Sequence, residues 1–175
     1  MSEEMLVVGV QSAKETEHDS GKRVITFRIN DELIGIDIRK IVKITKPLDI
    51  TPVPNSGDAI IGVMNLRGNI IAIVDPKKTL DLPEKGHNSQ EIIIVIDTEL
   101  GQIGIVVEKI EGVANIAEEE IQPSPINAIG IESEYIRGVI MSAFEGNKRD
   151  LLVLLDTDKI FSKESAARMS MLPDT

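Results

Sequence analysis

The chain has 175 residues and a formal net charge of −10, from 19 Lys and Arg against 29 Asp and Glu. This charge argues against a general nucleic-acid-binding protein, because neutralising phosphates needs clustered Lys and Arg. The chain has no Cys or Trp, three Phe and one Tyr, which also excludes thiolate nucleophiles, Cys metal ligands, disulfides and aromatic stacking platforms for bases.

β-Branched residues dominate the apolar part of the chain, with 28 Ile and 14 Val. Such side chains fit the pleated surface of a strand with little loss of rotamer freedom, so the composition predicts a mostly β fold. Residues 1–23 are largely polar, and their one apolar run, residues 6–10, is too short for a signal peptide or a membrane helix. We expect a cytoplasmic protein with a flexible N-terminal segment, in which residues 6–10 could dock as an edge strand.

Strict alternation of apolar and polar residues begins at Val24 and predicts a β-hairpin over residues 24–38 with one buried face. Asn30 and Asp31 supply the turn of this hairpin. A short helical turn is expected to follow over residues 39–43.

A second strand pair is predicted over residues 60–65 and 69–74, around the sequence Leu66-Arg67-Gly68. The run at 70–74 is Ile-Ile-Ala-Ile-Val, which is apolar enough to predict burial on both faces.

The second half of the chain repeats landmarks of the first half in the same order, at an offset that grows from 69 to 81 residues. A duplication of about 70 residues is within the size of a small β-barrel, so we predict two similar barrels, intertwined or adjacent. The first repeat covers residues 24–85, the second covers 91–161, and residues 162–175 form a C-terminal helix and tail. The paired landmarks are Gly35 and Gly104, Lys40 and Lys109, Ile41 and Ile110, Ile50 and Ile121, Pro52 and Pro123, Pro54 and Pro125, Gly62 and Gly138, Gly68 and Gly146, and Asp75 and Asp156.

Residues that both repeats share are expected to serve the fold. Asp75 and Asp156 each follow a predicted strand and precede a short helical sequence, once with Pro76 at the first helical position, so we predict helix caps. The sharper alternative is a paired-carboxylate active site in a hydrolytic or small-molecule-binding protein. The repeated glycines are interpreted as turns or close approaches of the backbone.

Residues present in one repeat alone are the better functional candidates. Arg67 precedes Gly68, whereas Glu145 precedes the matching Gly146, and Val42 stands where the second repeat has Glu111. A solvated cation and a half-buried core residue are the plain alternatives to partner recognition. The repeats also carry net charges of +1 and −9, which favours either oriented docking to a partner or simple solubility.

Little in the chain supports catalysis. His18 and His87 lie in polar segments, no nucleophile-elbow sequence accompanies them, and two isolated histidines make a poor zinc site. We therefore predict a binding module with no catalytic residues, no metal and no cofactor.

Several motifs together resemble the CheW family of bacterial chemotaxis adaptors, over about residues 24–161. The resemblance implies a mostly β fold of two SH3-like five-stranded β-barrels, which agrees with the duplication. The motifs are Gly35-Ile36-Asp37-Ile38 with Lys40-Ile41, Thr51-Pro52-Val53-Pro54, Gly62-Val63-Met64-Asn65-Leu66-Arg67-Gly68, and Val74-Asp75.

The resemblance also implies a function and two binding sites. Members of the family couple membrane chemoreceptors to the histidine kinase CheA without performing chemistry, so we expect a monomeric cytoplasmic scaffold at receptor arrays, with no nucleic acid bound and no membrane insertion. The groove for the receptor tip would involve Ile41, Val42, Gly62, Asn65, Leu66, Arg67 and Gly68. Expected contacts to the regulatory domain of the kinase are Asn30, Asp31, Leu48, Ile50 and Val53. The alternative is an adaptor of another kinase pathway that binds no chemoreceptor.

Overall fold

The computed structural model describes residues 21–54, 57–84, 91–124, 130–143 and 149–162, and most of these lie in β-strands. The predictions for the N-terminal segment, the C-terminal helix, the two histidines and Glu145 lie outside the described residues. The strands are β1 Lys22–Ile29, β2 Glu32–Asp37, β3 Ile41–Thr45, β4 Ile50–Thr51, β5 Ile60–Leu66, β6 Asn69–Val74, β7 Ile92–Thr98, β8 Gly101–Val107, β9 Lys109–Ile116, β10 Ile136–Ala143 and β11 Arg149–Leu155. Two short α-helices, α1 Pro76–Thr79 and α2 Thr157–Ile160, accompany 3-10 turns at Ile38–Lys40, Glu118–Glu120 and Ser133–Tyr135.

The strands form two sheets, and each sheet contains strands of both repeats. Sheet A has the order β10-β11-β2-β1-β9, and sheet B has the order β3-β7-β8-β6-β5-β4. The first hairpin of each repeat lies parallel to the last strand of the other repeat, β2 against β11 and β8 against β6. The two halves therefore exchange their first hairpins. The domain boundaries given from the sequence stay predictions.

The length of one connection shows that sheet B curls round on itself. β3 and β4 lie at opposite edges of the sheet, five strand-to-strand steps apart, which in a flat sheet would be about 24 Å. The chain from Thr45 to Ile50 reaches at most about 18 Å when fully extended, so the two edges must approach each other. In sheet A, Gln122 follows β9 at one edge and forms a bridge with Val139 of β10 at the other. The mostly β fold of two related, barrel-like sheets confirms the predicted fold class.

Apolar residues of the central strands are buried on both faces. In β7, Ile94 and Ile96 belong to the core between the two sheets, whereas Ile93 and Val95 belong to a separate core on the other face of sheet B. A third core lies on the face of sheet A that points away from sheet B. We call this core the outer core of sheet A, and the core around Ile93 and Val95 the outer core of sheet B. Strands with both faces covered carry near-continuous apolar runs, which explains the high Ile content.

Three predictions about these strands need correction. The first hairpin was expected to bury one face, but Val24 and Leu33 enter the outer core of sheet A because the hairpin lies in the middle of that sheet. The run 70–74 is not buried on both faces, since Ile70 is 66% exposed. The helical turn expected over residues 39–43 is a 3-10 turn that ends at Lys40, where β3 begins one residue later.

Two of the repeated glycines are close approaches of the backbone, as predicted. A Cβ on Gly62 would collide with the carbonyl oxygen of Thr51 and lie 2.8 Å from Ile50 Cγ2. A Cβ on Gly138 would collide with Ile121 and lie 2.9 Å from the oxygen of Gln122. Equivalent segments cross equivalent glycines, so the duplication extends to the packing.

Candidate protein-interaction site

The hairpin of β5 and β6 ends in a two-residue turn that displays Arg67. Leu66 pairs with Asn69, and the two residues between them have positive φ, 53° at Arg67 and 87° at Gly68. This geometry is that of a type I′ turn, whose twist matches that of the flanking strands. Asn65 Oδ1 accepts a hydrogen bond of 2.8 Å from the Gly68 N–H. The turn is thus tied to its own strand, and Arg67 stands exposed at the tip.

One face of this hairpin is apolar and partly open to solvent. Asn65 pairs with Ile70, and Val63 pairs with Ala72. Ile70 and, at the bulge near the start of β5, Ile61 are exposed. We call this surface, formed by Ile61, Val63, Asn65, Ile70 and Ala72, the hairpin face.

The opposite side of the same hairpin is buried. Met64 and Ile71 pair with each other and belong to the outer core of sheet B. Sequence reasoning missed Ile61 and Ile70 as surface residues. The polar Asn65 opposite Ile70 across the turn was the available signal, because directly paired residues lie on the same side of a sheet.

The remaining residues of the predicted receptor groove lie elsewhere in sheet B. Val42 is exposed on β3, and Ile41 is half-buried against the core between the sheets. β7, β8 and β6 lie between β3 and β5. Gly62 is buried beneath Thr51, and Leu66 is half-buried against the outer core of sheet B. That one partner contacts both β3 and the hairpin turn stays a prediction.

The residues predicted to contact the kinase lie on different sheets. Leu48 and Val53 are exposed on either side of β4, at the edge of sheet B, and Ile50 is half-buried against the outer core of that sheet. Asn30 and Asp31 form the turn between β1 and β2, which belong to sheet A.

Only Asp31 is exposed in the turn of the first hairpin, because Asn30 is held inside. Asn30 is 5% exposed, and its Nδ2 donates a hydrogen bond of 2.6 Å to the carbonyl oxygen of Pro83. Its backbone N–H donates to Glu108 Oε2 at 3.1 Å, and Lys77 Nζ lies 3.4 Å from the same oxygen. Lys77 and Glu108 also line a cavity of about 80 Å³. The network, which sequence reasoning missed, fixes the first hairpin against the start of α1.

Asp75 and Asp156 cap the two α-helices, as predicted. Asp75 Oδ1 accepts a hydrogen bond of 3.0 Å from the N–H of Lys77, and Asp156 Oδ1 accepts one of 3.2 Å from the N–H of Lys159. Asp75 follows β6 of sheet B, and Asp156 follows β11 of sheet A. Because each carboxylate serves its own helix, the paired-carboxylate active site has no support. Nowhere in the described part of the chain do three or more His, Cys, Asp or Glu residues group as metal ligands.

Ion pairs neutralise two of the arginines near the turns. Arg28 Nε lies 2.9 Å from Glu111, and this hydrogen bond holds the pKa of the Glu111 carboxyl below its usual value. Burial alone would raise the pKa of Asp37, but hydrogen bonds from Arg39 outweigh burial and lower it. Among the described residues, no carboxylate forms an ion pair with Arg67.

Two curled sheets from a duplicated unit, with an exposed apolar hairpin face and an arginine at its tip, make an all-β domain with a surface suited to binding another protein. The family model for the CheW-like domain matches residues 23–165. The chain belongs to the CheW family.

Individual relatives agree with this assignment. The chain is 30% identical to a chemotaxis protein CheW of Treponema pallidum, over 89% of this chain and 91% of that protein. It is 33% identical to one of Klebsiella aerogenes, over 84% of this chain and 86% of that protein. The crystal structure of the scaffolding protein TtCheW from Thermoanaerobacter tengcongensis is similar, with a TM-score of 0.73 and 25% identity over 86% of this chain and 94% of that chain. No helix within the described ranges has both the length and the hydropathy needed to cross a bilayer.

Proposed function

We propose that this CheW-family protein is a non-enzymatic adaptor that couples chemoreceptors to a CheA-type histidine kinase in bacterial chemotaxis. The observation that carries the proposal is the family match, which covers nearly all of the described residues. The names of the relatives, chemotaxis protein and scaffolding protein, support the adaptor role. In this role the protein works in the cytoplasm, at receptor arrays on the inner side of the membrane.

The receptor side of the proposal uses the hairpin face and the Arg67 turn. A helical receptor tip presents apolar side chains at intervals of three and four residues, which suits an exposed aliphatic strip such as that at Ile61 and Ile70. The Arg67 guanidinium would pair with a carboxylate at the end of that strip. The residues assigned to this side are Ile41, Val42, Gly62, Asn65, Leu66, Arg67 and Gly68, with Ile61 and Ile70 added.

The kinase side of the proposal uses the β4 edge of sheet B. Among the described strands β4 pairs with β5 alone, and the exposed segments on either side of it can meet a partner. Leu48 and Val53 flank it with exposed apolar side chains, while Ile50 supports it from below. Of the first hairpin turn, Asp31 is the residue open to contact.

The adaptor couples its partners only through differential contact. If the protein binds one arrangement of receptor or kinase more tightly than another, it shifts the population towards that arrangement. If it binds both arrangements equally, it holds the partners together without transmitting a signal.

A binding titration tests the proposal. The full chain is titrated with the regulatory domain of the CheA-type kinase of the same organism, with and without a receptor-tip fragment, and the variants Arg67→Ala and Leu48→Ala are compared with the exposed-lysine control Lys46→Ala. We expect wild type to bind both partners, Arg67→Ala to weaken receptor binding, and Leu48→Ala to weaken kinase binding. Binding to the kinase alone would instead indicate an adaptor of another kinase pathway, and binding to neither would refute the coupling role.

A further inference from the structure

Two hairpins of the chain use the same turn with different residues. The turn of β1 and β2 places Asn30 and Asp31 at φ 52° and 67°, and the turn of β5 and β6 places Arg67 and Gly68 at 53° and 87°. Asn, Asp and Gly adopt this left-handed conformation readily, whereas a long side chain such as Arg does so at a cost in free energy. Both residues of the first turn therefore suit their backbone conformation, whereas in the second turn Gly68 does and Arg67 does not.

Asn65 supplies what holds the second turn in place. Its side-chain oxygen accepts a hydrogen bond of 2.8 Å from the Gly68 N–H, so this bond spans Leu66 and Arg67. Gly68 has open space where a Cβ would lie, so no packing of its own fixes it. In addition to the Leu66–Asn69 pair that closes the hairpin, this hydrogen bond ties the turn to β5.

We infer that Asn65 is a positioning residue that holds Arg67 in the left-handed conformation, in which the arginine meets a partner at the expense of the stability of the turn. The inference rests on the proposed receptor contact of this hairpin. A type I′ turn has its best stability with Asn-Gly, which this chain would reach by one substitution at Arg67. Arginine at this position therefore lowers the stability of the turn relative to asparagine.

The first test separates stability from binding at Arg67. Arg67→Asn should raise the thermal midpoint and weaken binding of a receptor-tip fragment about tenfold, while kinase binding stays unchanged. Asn69→Ala, an exposed change in the same hairpin, is the control and should alter neither. A lower thermal midpoint in Arg67→Asn would overturn the inference that arginine strains the turn.

The second test asks whether Asn65 acts through Arg67, because Asn65 lies on the hairpin face and could also touch the partner. In a double-mutant cycle, Asn65→Ala should weaken receptor binding about fivefold in wild type and leave the affinity of Arg67→Ala unchanged. Faster hydrogen exchange at the Gly68 amide in Asn65→Ala should be reversed by Asn65→Asp, which keeps the acceptor. An equal loss of affinity in both backgrounds would show that Asn65 contacts the partner directly and would overturn its positioning role.

Failure of the inference and failure of the proposed function give different results. If Arg67→Ala binds the receptor tip as tightly as wild type, the receptor contact proposed for this turn is wrong. If Arg67→Ala loses affinity but Asn65→Ala has no effect on affinity or on Gly68 exchange, only the positioning role is wrong.

Discussion

The two places where a strand leads into an α-helix, β6 into α1 and β11 into α2, have the same backbone arrangement. Their helices carry opposite charges in the ion pairs that they form with the other repeat, and we call these places the two junctions. α1 follows β6, α2 follows β11, and an aspartate caps each helix. In the first junction Lys77 pairs with Glu108 of the second repeat at 3.4 Å, and in the other Asp158 pairs with Lys40 of the first repeat at 2.9 Å. The duplication has kept caps, glycines and strand pairings, whereas the residues that tie one repeat to the other have diverged.

The largest expected effect is at the two crossing glycines. Gly62→Ala should destabilise the fold by about 3 kcal/mol, because the new Cβ meets the backbone of Thr51 and can be accommodated only by displacing β4. Gly138→Ala should cost less, since Ile121 Cγ2, the methyl group with which its Cβ would collide, can move by rotation about χ1, and the backbone oxygen of Gln122 is 2.9 Å away. Chemical denaturation of both variants measures the difference. Equal losses would mean that the two crossings are equally rigid.

The ion pairs of the two junctions should differ in strength. The Lys77 and Glu108 side chains are 11% and 18% exposed, and Glu108 also accepts the Asn30 N–H, so Glu108→Ala should cost about 2 kcal/mol. The Asp158 side chain is 62% exposed, so Asp158→Ala should cost less than about 0.5 kcal/mol. Urea unfolding of the two variants checks the order, and a costlier Asp158→Ala would contradict it.

The two helix caps should contribute equally to the free energy of unfolding. Asp75→Ala and Asp156→Ala should each lower the free energy of unfolding by about 1 kcal/mol, because each removes the acceptor for an N–H in the first turn of a helix. Asp75→Asn and Asp156→Asn, which keep an acceptor, serve as controls and should recover most of the loss. A thermal midpoint unchanged in both alanine variants would remove the capping role.

The smallest expected effect is a loss of stability in acid. Asp37 and Glu111 have pKa values below the usual range in the folded protein, so their contribution is complete above the pKa of the unfolded state and is lost as the pH falls through the folded pKa. The free energy of unfolding should therefore decline below about pH 4. Thermal midpoints of Asp37→Asn and Glu111→Gln should fall less steeply with acid than those of wild type. Parallel curves would contradict this assignment.

Local features of the fold were predictable from the sequence because each depends on a few neighbouring residues. The turn residues Asn30 and Asp31, the caps Asp75 and Asp156, and the strand alternation each act over a short stretch of chain. The fold class and family followed from these features together with the Asn65 to Gly68 motif.

The exchange of hairpins could not be predicted in the same way. Matching landmarks show that two segments are alike, but either hairpin could pair with the last strand of either repeat. The same ambiguity affects the candidate sites, since the kinase residues at Asn30 and at Leu48 were expected on one barrel and lie on different sheets. The net charges of +1 and −9 likewise belong to the two repeats of the sequence. They do not belong to the two sheets, because each sheet contains strands of both repeats.

The burial of single residues also could not be predicted from the sequence. A turn asparagine is ordinarily exposed, yet Asn30 is buried because Glu108 and Pro83, far away in sequence, reach it. Ile70 looked like a core residue within an apolar run, but it lies beside the turn at the start of β6, where its side chain is 66% exposed. The burial of Asn30 depends on a contact between the repeats, the one to Glu108.

The Lys77–Glu108 pair also helps to decide which hairpin folds onto which half. If each hairpin stayed with its own repeat, the residue equivalent to Glu108, at an offset of 69, would be Arg39, and two cations would meet at the more enclosed junction. At the exposed junction Lys109 would replace Lys40 beside Asp158, so attraction would persist there. The buried junction alone distinguishes the two pairings. This one difference in charge between the two junctions favours the exchanged pairing of the hairpins over two independently folded halves.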